Sequence, residues 1–144
     1  FGGGGVMFFA AMHFWFPKMF GKMYRKAASV WAFILFFIGF NCLYFPLFIA
    51  GMKGMPRRYA DYLPEYTIYH QISTVGSWIM VSGILLMFGN LLYSLFKGAK
   101  TEANPWGGVT LEWQVPSPPP THQFEKPPVV TRGPYEYGPE VENE

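Results

Sequence analysis

Two uncharged runs constrain this chain more than any other feature. Between Lys26 and Lys53 there are 26 residues without Asp, Glu, Lys or Arg, and between Glu65 and Lys97 there are 31. A hydrocarbon core about 30 Å thick is crossed by roughly 20 helical residues rising about 1.5 Å each. Both runs are long enough to cross it with some tilt. Charged residues are 14% of the chain, against roughly 25% in an ordinary soluble domain. The helix of a soluble core is the competing reading, and two such runs in 144 residues argue against it.

The runs place two full helices, at 28–50 and 67–97. Pro46 stands near the far end of the first, where it bends or ends a helix. Residues 1–16 are apolar and uncharged, without the basic start or small-residue cleavage pattern of a signal peptide. They read as the second half of a membrane helix that begins elsewhere, helical from about Val6 to Phe16, with Pro17 helping to stop it. Gly2-Gly3-Gly4-Gly5 is a poor helix start alone, but glycine is tolerated where membrane helices approach closely. Residues 17–27 form a basic loop with Lys18, Lys22, Arg25 and Lys26. Residues 51–66 form a second loop, in which Pro56 and Pro64 limit helix formation. Trp31, Tyr44, Tyr66, Tyr69 and Tyr93 fall where aromatic belts form at membrane interfaces.

Residues 98–144 change character. Rich in Pro and Glu, they cannot bury enough apolar area to fold alone. They are expected to lie extended, partly polyproline-like, along a partner's surface, anchored by Leu111, Trp113 and Phe124. The fold class is therefore all-α transmembrane: one partial and two full spanning helices, with an extended Pro/Glu-rich tail.

Charge orients the chain. Four basic residues in the 17–27 loop and Lys97 and Lys100 after the last helix stand on one side, against Lys53, Arg57 and Arg58 on the other. The basic-inside rule puts the first loop and the tail in the cytosol or matrix, and the 51–66 loop on the outer side. Seven glutamates in the tail against Lys126 and Arg132 argue against a nucleic-acid partner.

Side chains able to do chemistry are few. His13, His70 and His122 stand on three separate segments without metal-ligand spacing, and each reads as an interfacial residue before a ligand. No Gly-x-Ser-x-Gly, Cys-x-x-Cys or phosphate loop occurs. No acid lies within the uncharged runs to relay protons. Cys42 reads as a small packing residue, and Asn41 with Cys42 as helix–helix contacts.

The exception is Arg57-Arg58. Guanidinium stays protonated and offers five donors in a planar fork, so a pair can grip carboxylates bidentately. A pair meeting lipid phosphates and a salt bridge to Asp61 or Glu65 are the alternatives. Pro56 before the pair and Tyr59 after it point to a rigid loop and favour an anionic cofactor or partner group. Asp61 has three readings: a loop cap, a partner for one arginine, or a cation ligand.

At this loop the sequence resembles subunit I of the heme–copper cytochrome c oxidases. Phe45-Pro46, Gly51 and Gly54-Met55-Pro56-Arg57-Arg58-Tyr59-Ala60-Asp61-Tyr62 carry the likeness. His13-Phe14-Trp15-Phe16-Pro17-Lys18-Met19-Phe20-Gly21 resembles the loop after that family's tenth helix. Phe36-Phe37-Ile38-Gly39-Phe40-Asn41 resembles its eleventh helix and Ile72-Ser73-Thr74-Val75-Gly76-Ser77 the start of its twelfth. Leu111-Glu112-Trp113 and Pro118-Pro119-Pro120-Thr121-His122-Gln123-Phe124-Glu125 resemble its tail. Leu47-Phe48 stands where many relatives have Gln-His, and Val129–Glu144 extends past the usual end.

The resemblance implies the C-terminal third of a twelve-helix bundle, within a complex that oxidises cytochrome c, reduces oxygen to water and pumps protons. It implies that Arg57 and Arg58 bind the propionates of heme a and heme a3. The axial ligands and the copper then lie in a partner chain, the N-terminal part of subunit I. Other partners implied are subunits II and III, cytochrome c and membrane lipids. Tyr44 is a candidate for heme packing, and Asp61 with Ala60 for an outer-side cation site taking Ca, Na or Mg. The expected location is the mitochondrial inner membrane, with a bacterial plasma membrane as the alternative. The expected origin is a subunit encoded as two polypeptides. An accessory or assembly membrane protein without heme contact, and a quinol oxidase, are the competing assignments.

Overall fold

A computed structural model describes residues 2–58, 60–124 and 126–129. The elements in order are α1 (Gly2–Phe20), β1 (Lys22–Met23), α2 (Lys26–Met52), a 3₁₀ turn (Pro64–Tyr66), α3 (Thr67–Lys97), β2 (Ala99–Lys100) and α4 (Leu111–Gln114). Two helical stretches, Lys26–Met52 and Pro64–Lys97, are long and apolar enough to cross a membrane. Only 17% and 33% of their apolar windows are buried within the chain. A soluble core helix hides most of its surface, so these two require lipid or other protein around them.

Residues 25–93 form one compact unit, and residues 2–24 with the described residues after 93 form another. In the first, α2 and α3 meet along a seam written in the sequence. The buried residues of α2 are Ala32, Phe36, Gly39, Pro46 and Ala50. On α3 they include Ser73, Gly76, Met80, Gly83, Met87 and Asn90. Alternating steps of three and four are the spacing of helices packed at a shallow angle.

The seam is made of backbone as much as side chain. A Cβ on Gly39 would lie 2.8 Å from the Gly76 carbonyl oxygen and inside the backbone of Met80. One on Gly83 would lie 2.6 Å from the Phe36 nitrogen. Small residues let membrane helices approach this closely, where dispersion replaces the hydrophobic effect as the driving force. Cys42 sits in this contact, its Cβ 2.8 Å from where a Gly76 side chain would begin. The amide of Asn41 donates to Phe37 O at 2.8 Å on its own helix. At the other end of the unit, Asn90 is buried and fully used. Its Oδ1 accepts from Arg25 N at 3.3 Å, and its Nδ2 donates to Arg25 O and to Ser29 Oγ at 3.0 Å each. The Arg25 guanidinium lies 4.5 Å above the Tyr93 ring and donates to its hydroxyl.

One expectation about proline is corrected: α1 does not stop at Phe16 but continues through Pro17 to Phe20. α2 runs through Pro46 to Met52, near the 28–50 bounds expected from sequence. Pro17 lies in the last turn, where a missing N–H costs a single helix bond, and its side chain is fully buried. The stop signal is Gly21, at φ +63°, whose N–H donates to Pro17 O at 2.8 Å. That left-handed cap is a glycine conformation. A Cβ here would also approach Ser117 O to 2.8 Å.

The tail is corrected as well. It does not lie wholly extended along a partner, since residues 99–117 pack against this chain's own α1. β2 pairs antiparallel with β1, Lys22 opposite Lys100. Trp113 and Val115 are buried, whereas Leu111 is exposed and Phe124 half-buried. Trp113 meets Phe14 edge-on at 5.1 Å, and Trp106 Nε1 donates to Phe14 O at 2.9 Å. Lys18 holds the fold together. It is buried, lies 5.5 Å from the Trp113 ring, and donates to Ala103 O at 3.1 Å and to Val115 O. Burial pushes its ammonium below the ordinary lysine pKa, opposed by the nearby Glu112 carboxylate. Composition argued against this packing because it counts apolar area, whereas carbonyls gathered on a buried cation are a polar solution.

Lys18→Met keeps the apolar stem and takes the donor from Val115 O, while Ala103 O keeps the Ser117 hydroxyl at 3.2 Å. A cost of about 1–3 kcal/mol is expected for such a loss. Limited proteolysis of the membrane-embedded protein should then cut the 101–117 segment faster than in the wild type, and an unchanged rate would contradict the role given to Lys18.

Candidate functional site

The segment between α2 and the 3₁₀ turn carries the arginine pair. Its base is tied by tyrosines at the start of the following helix. Tyr66 is buried, and its hydroxyl donates to Lys53 O at 3.0 Å. Lys53 Nζ donates to the Tyr69 hydroxyl at 2.6 Å and lies 5.1 Å from its ring. The hydrogen bond to Tyr69 raises the Lys53 pKa above the ordinary lysine value. Gly54 takes φ +90°, and Met55 N donates to Ala50 O at 3.1 Å, so the chain leaves α2 through a hydrogen-bonded turn.

Higher in the loop, one side chain touches both flanks of the arginine pair. His70 Nε2 faces Met55 Sδ at 3.3 Å, and the His70 ring stacks on Tyr62 with centroids 4.1 Å apart. Beyond these grips stand Arg57 and Arg58, both exposed. Among the described residues neither has a hydrogen-bond or ion-pair partner, so the bridge to Asp61 or Glu65 weighed from sequence is not formed. Arg58 has φ +62°. A left-handed non-glycine residue costs on the order of 1 kcal/mol and gathers at ligand-clamping sites. Guanidinium forks left without a counter-charge have the donor geometry to take an anion with two or more oxygens.

The other candidates fall as follows. Asp61 is exposed, and its Oδ1 accepts from Tyr62 N at 2.8 Å, which is the loop-cap reading. Ala60 is exposed beside it. Among the described residues no three His, Cys, Asp or Glu side chains gather to hold a metal. Tyr44 is 41% exposed, and its ring lies tilted against that of Phe40 with centroids 4.7 Å apart. Sequence reasoning missed the bracing group Lys53, Met55, Tyr62, Tyr66, Tyr69 and His70. One signal was there: Tyr66, Tyr69, His70 and Ser73 share a helix face by their three-and-four spacing.

The chain is similar to known proteins. Residues 1–79 match the family model described as Cytochrome C and Quinol oxidase polypeptide I. This chain belongs to that family. It is 41% identical to cytochrome c oxidase subunit 1 of Thermostichus vulcanus, over 96% of this chain and 25% of the relative. It is 40% identical to the subunit 1 of a Synechocystis species, over 99% of this chain and 26% of the relative. The subunit 1 of Bacillus subtilis is 42% identical over 88% of this chain and 21% of its own length. The chain spans about a quarter of the length of these curated relatives.

Proposed function

We propose that this chain is the C-terminal part of subunit I of a proton-pumping cytochrome c oxidase, and that Arg57 and Arg58 hold the propionates of heme a and heme a3. The observation that carries the reading is the exposed, unpaired arginine pair on a braced loop, in a chain of the oxidase subunit I family. The residues present fit the group: ionised propionates are carboxylates, and paired guanidinium forks match them. When bound, heme supplies electron transfer and oxygen reduction. The chain's own residues supply fixed positive charge, which keeps the propionates ionised and favours the reduced state.

The remainder of subunit I is the partner expected to supply axial ligands and copper. It would also cover the exposed aromatic surface of α2, including Tyr44. Subunits II and III, lipid and cytochrome c complete the assembly. The membrane is the mitochondrial inner membrane or a bacterial plasma membrane, with the tail on the matrix or cytoplasmic side. A cation at Asp61 and Ala60 needs further ligands from the partner, because this chain offers one carboxylate there. The family description also names quinol oxidases, and a quinol donor is the second reading.

An experimental structure of the purified complex tests the proposal. Propionate oxygens are expected within about 3.2 Å of guanidinium nitrogens on Arg57 or Arg58. Both side chains pointing to lipid or water, with no tetrapyrrole alongside, would refute it and favour an accessory membrane protein.

A further inference from the structure

The bracing of the loop assigns a role to a residue outside the arginine motif. We propose that His70 is the positioning residue for the arginine pair: it clamps the loop on both sides and so sets where the two guanidiniums stand. The inference rests on the heme-propionate reading for its effect on potential, but not for its effect on loop order.

Met55 lies two residues before Arg57, and Tyr62 lies four residues after Arg58. The two flanks are joined through one imidazole, by Nε2 facing Met55 Sδ at 3.3 Å and by the ring stacked 4.1 Å from Tyr62. A thioether sulfur only accepts, so Nε2 carries the hydrogen and donates. His70 itself is part of α3, a helix of 31 residues, and is therefore anchored on a rigid element. The base of the loop is tied separately, by Tyr66 and Tyr69 to Lys53. Without the upper clamp, the loop would remain attached at its base and lose its grip beside the arginines. Arg58 at φ +62° needs such support, because an unfavourable backbone conformation persists only where its surroundings enforce it. Charge held in place stabilises better than charge that must be ordered on binding.

The experiment uses the assembled oxidase, with spectroscopic redox titration of both hemes and amide hydrogen exchange across the loop. His70→Leu is expected to raise exchange at Gly54, Met55 and Tyr62. It should also lower heme potential by roughly a threefold change in the oxidised-to-reduced ratio, about 28 mV at 59 mV per decade. His70→Phe keeps the stack on Tyr62 and loses the sulfur contact, so it should recover part of both changes. An assembled His70→Leu oxidase with wild-type exchange and wild-type potentials overturns the proposal. If that variant does not assemble, Met55→Leu and Tyr62→Leu each remove one grip, and wild-type behaviour in both overturns it equally. Should Arg58→Leu leave the potentials unchanged, the heme reading fails, and the exchange data still decide whether His70 orders the loop.

Discussion

Gly39→Ala is expected to cost this protein more stability than any other single methyl group added to its helices. The added carbon has nowhere to go: it would stand 2.8 Å from Gly76 O and within the Met80 backbone. A flexible side chain could swing aside, but these neighbours are main chain of a continuous helix. Overpacking a close-packed site costs about 1–3 kcal/mol and more when backbone must shift, so a loss of about 3 kcal/mol or greater is expected here. Gly89→Ala provides the contrast. It makes the same chemical change in the same helix pair, at a position with nothing within 4 Å of the new carbon. Helix propensity there favours alanine by about 1 kcal/mol. Thermal denaturation of the purified membrane protein should show a large drop for Gly39→Ala and none for Gly89→Ala. Retained stability in the first would contradict the close crossing of α2 and α3.

Arg58→Leu is expected to lower heme potential. Adding an electron to heme is easier beside a positive charge, so removing that charge favours the oxidised form. At an effective dielectric of about 20 and a separation of about 9 Å, one charge contributes about 1.8 kcal/mol. For a one-electron couple at 59 mV per decade this corresponds to about 80 mV. Protonation of the deserted propionate would offset part of the change, so the shift should be largest at high pH, where that carboxyl stays ionised. Proton pumping should weaken more than heme content, because assembly rests on the helix seam and not on this loop. Redox titration of the variant at two pH values checks both the size and the trend. Wild-type potentials in both hemes would remove the electrostatic role from Arg58.

Much of the architecture was legible along the chain. The two spans follow from the absence of charge over contiguous residues, a one-dimensional property that survives folding unchanged. The arginine pair was legible for a similar reason: two adjacent guanidiniums need a counter-charge, and the family motif around them is local. The helix ends were less so. Pro17 looked like a stop, yet the cap is Gly21, because the last turn of a helix tolerates proline and a left-handed cap favours glycine. Trp113 was singled out as an anchor, but its burial against Phe14 and Lys18 on the chain's own first helix was not. Sequence separation hid it: Lys18 and Val115 are 97 positions apart, and no pattern couples them.

By itself, the sequence determined that this chain belongs in a membrane, roughly where it crosses, and which loop bears the arginine pair. The tertiary structure decided how that loop is held and which glycines lie at the crossing. Membership in an apolar span depends on composition summed over about 20 residues. Whether His70 faces Met55 and Tyr62, or Gly39 meets Gly76, depends instead on the path of the chain between them, which only the packed helices specify.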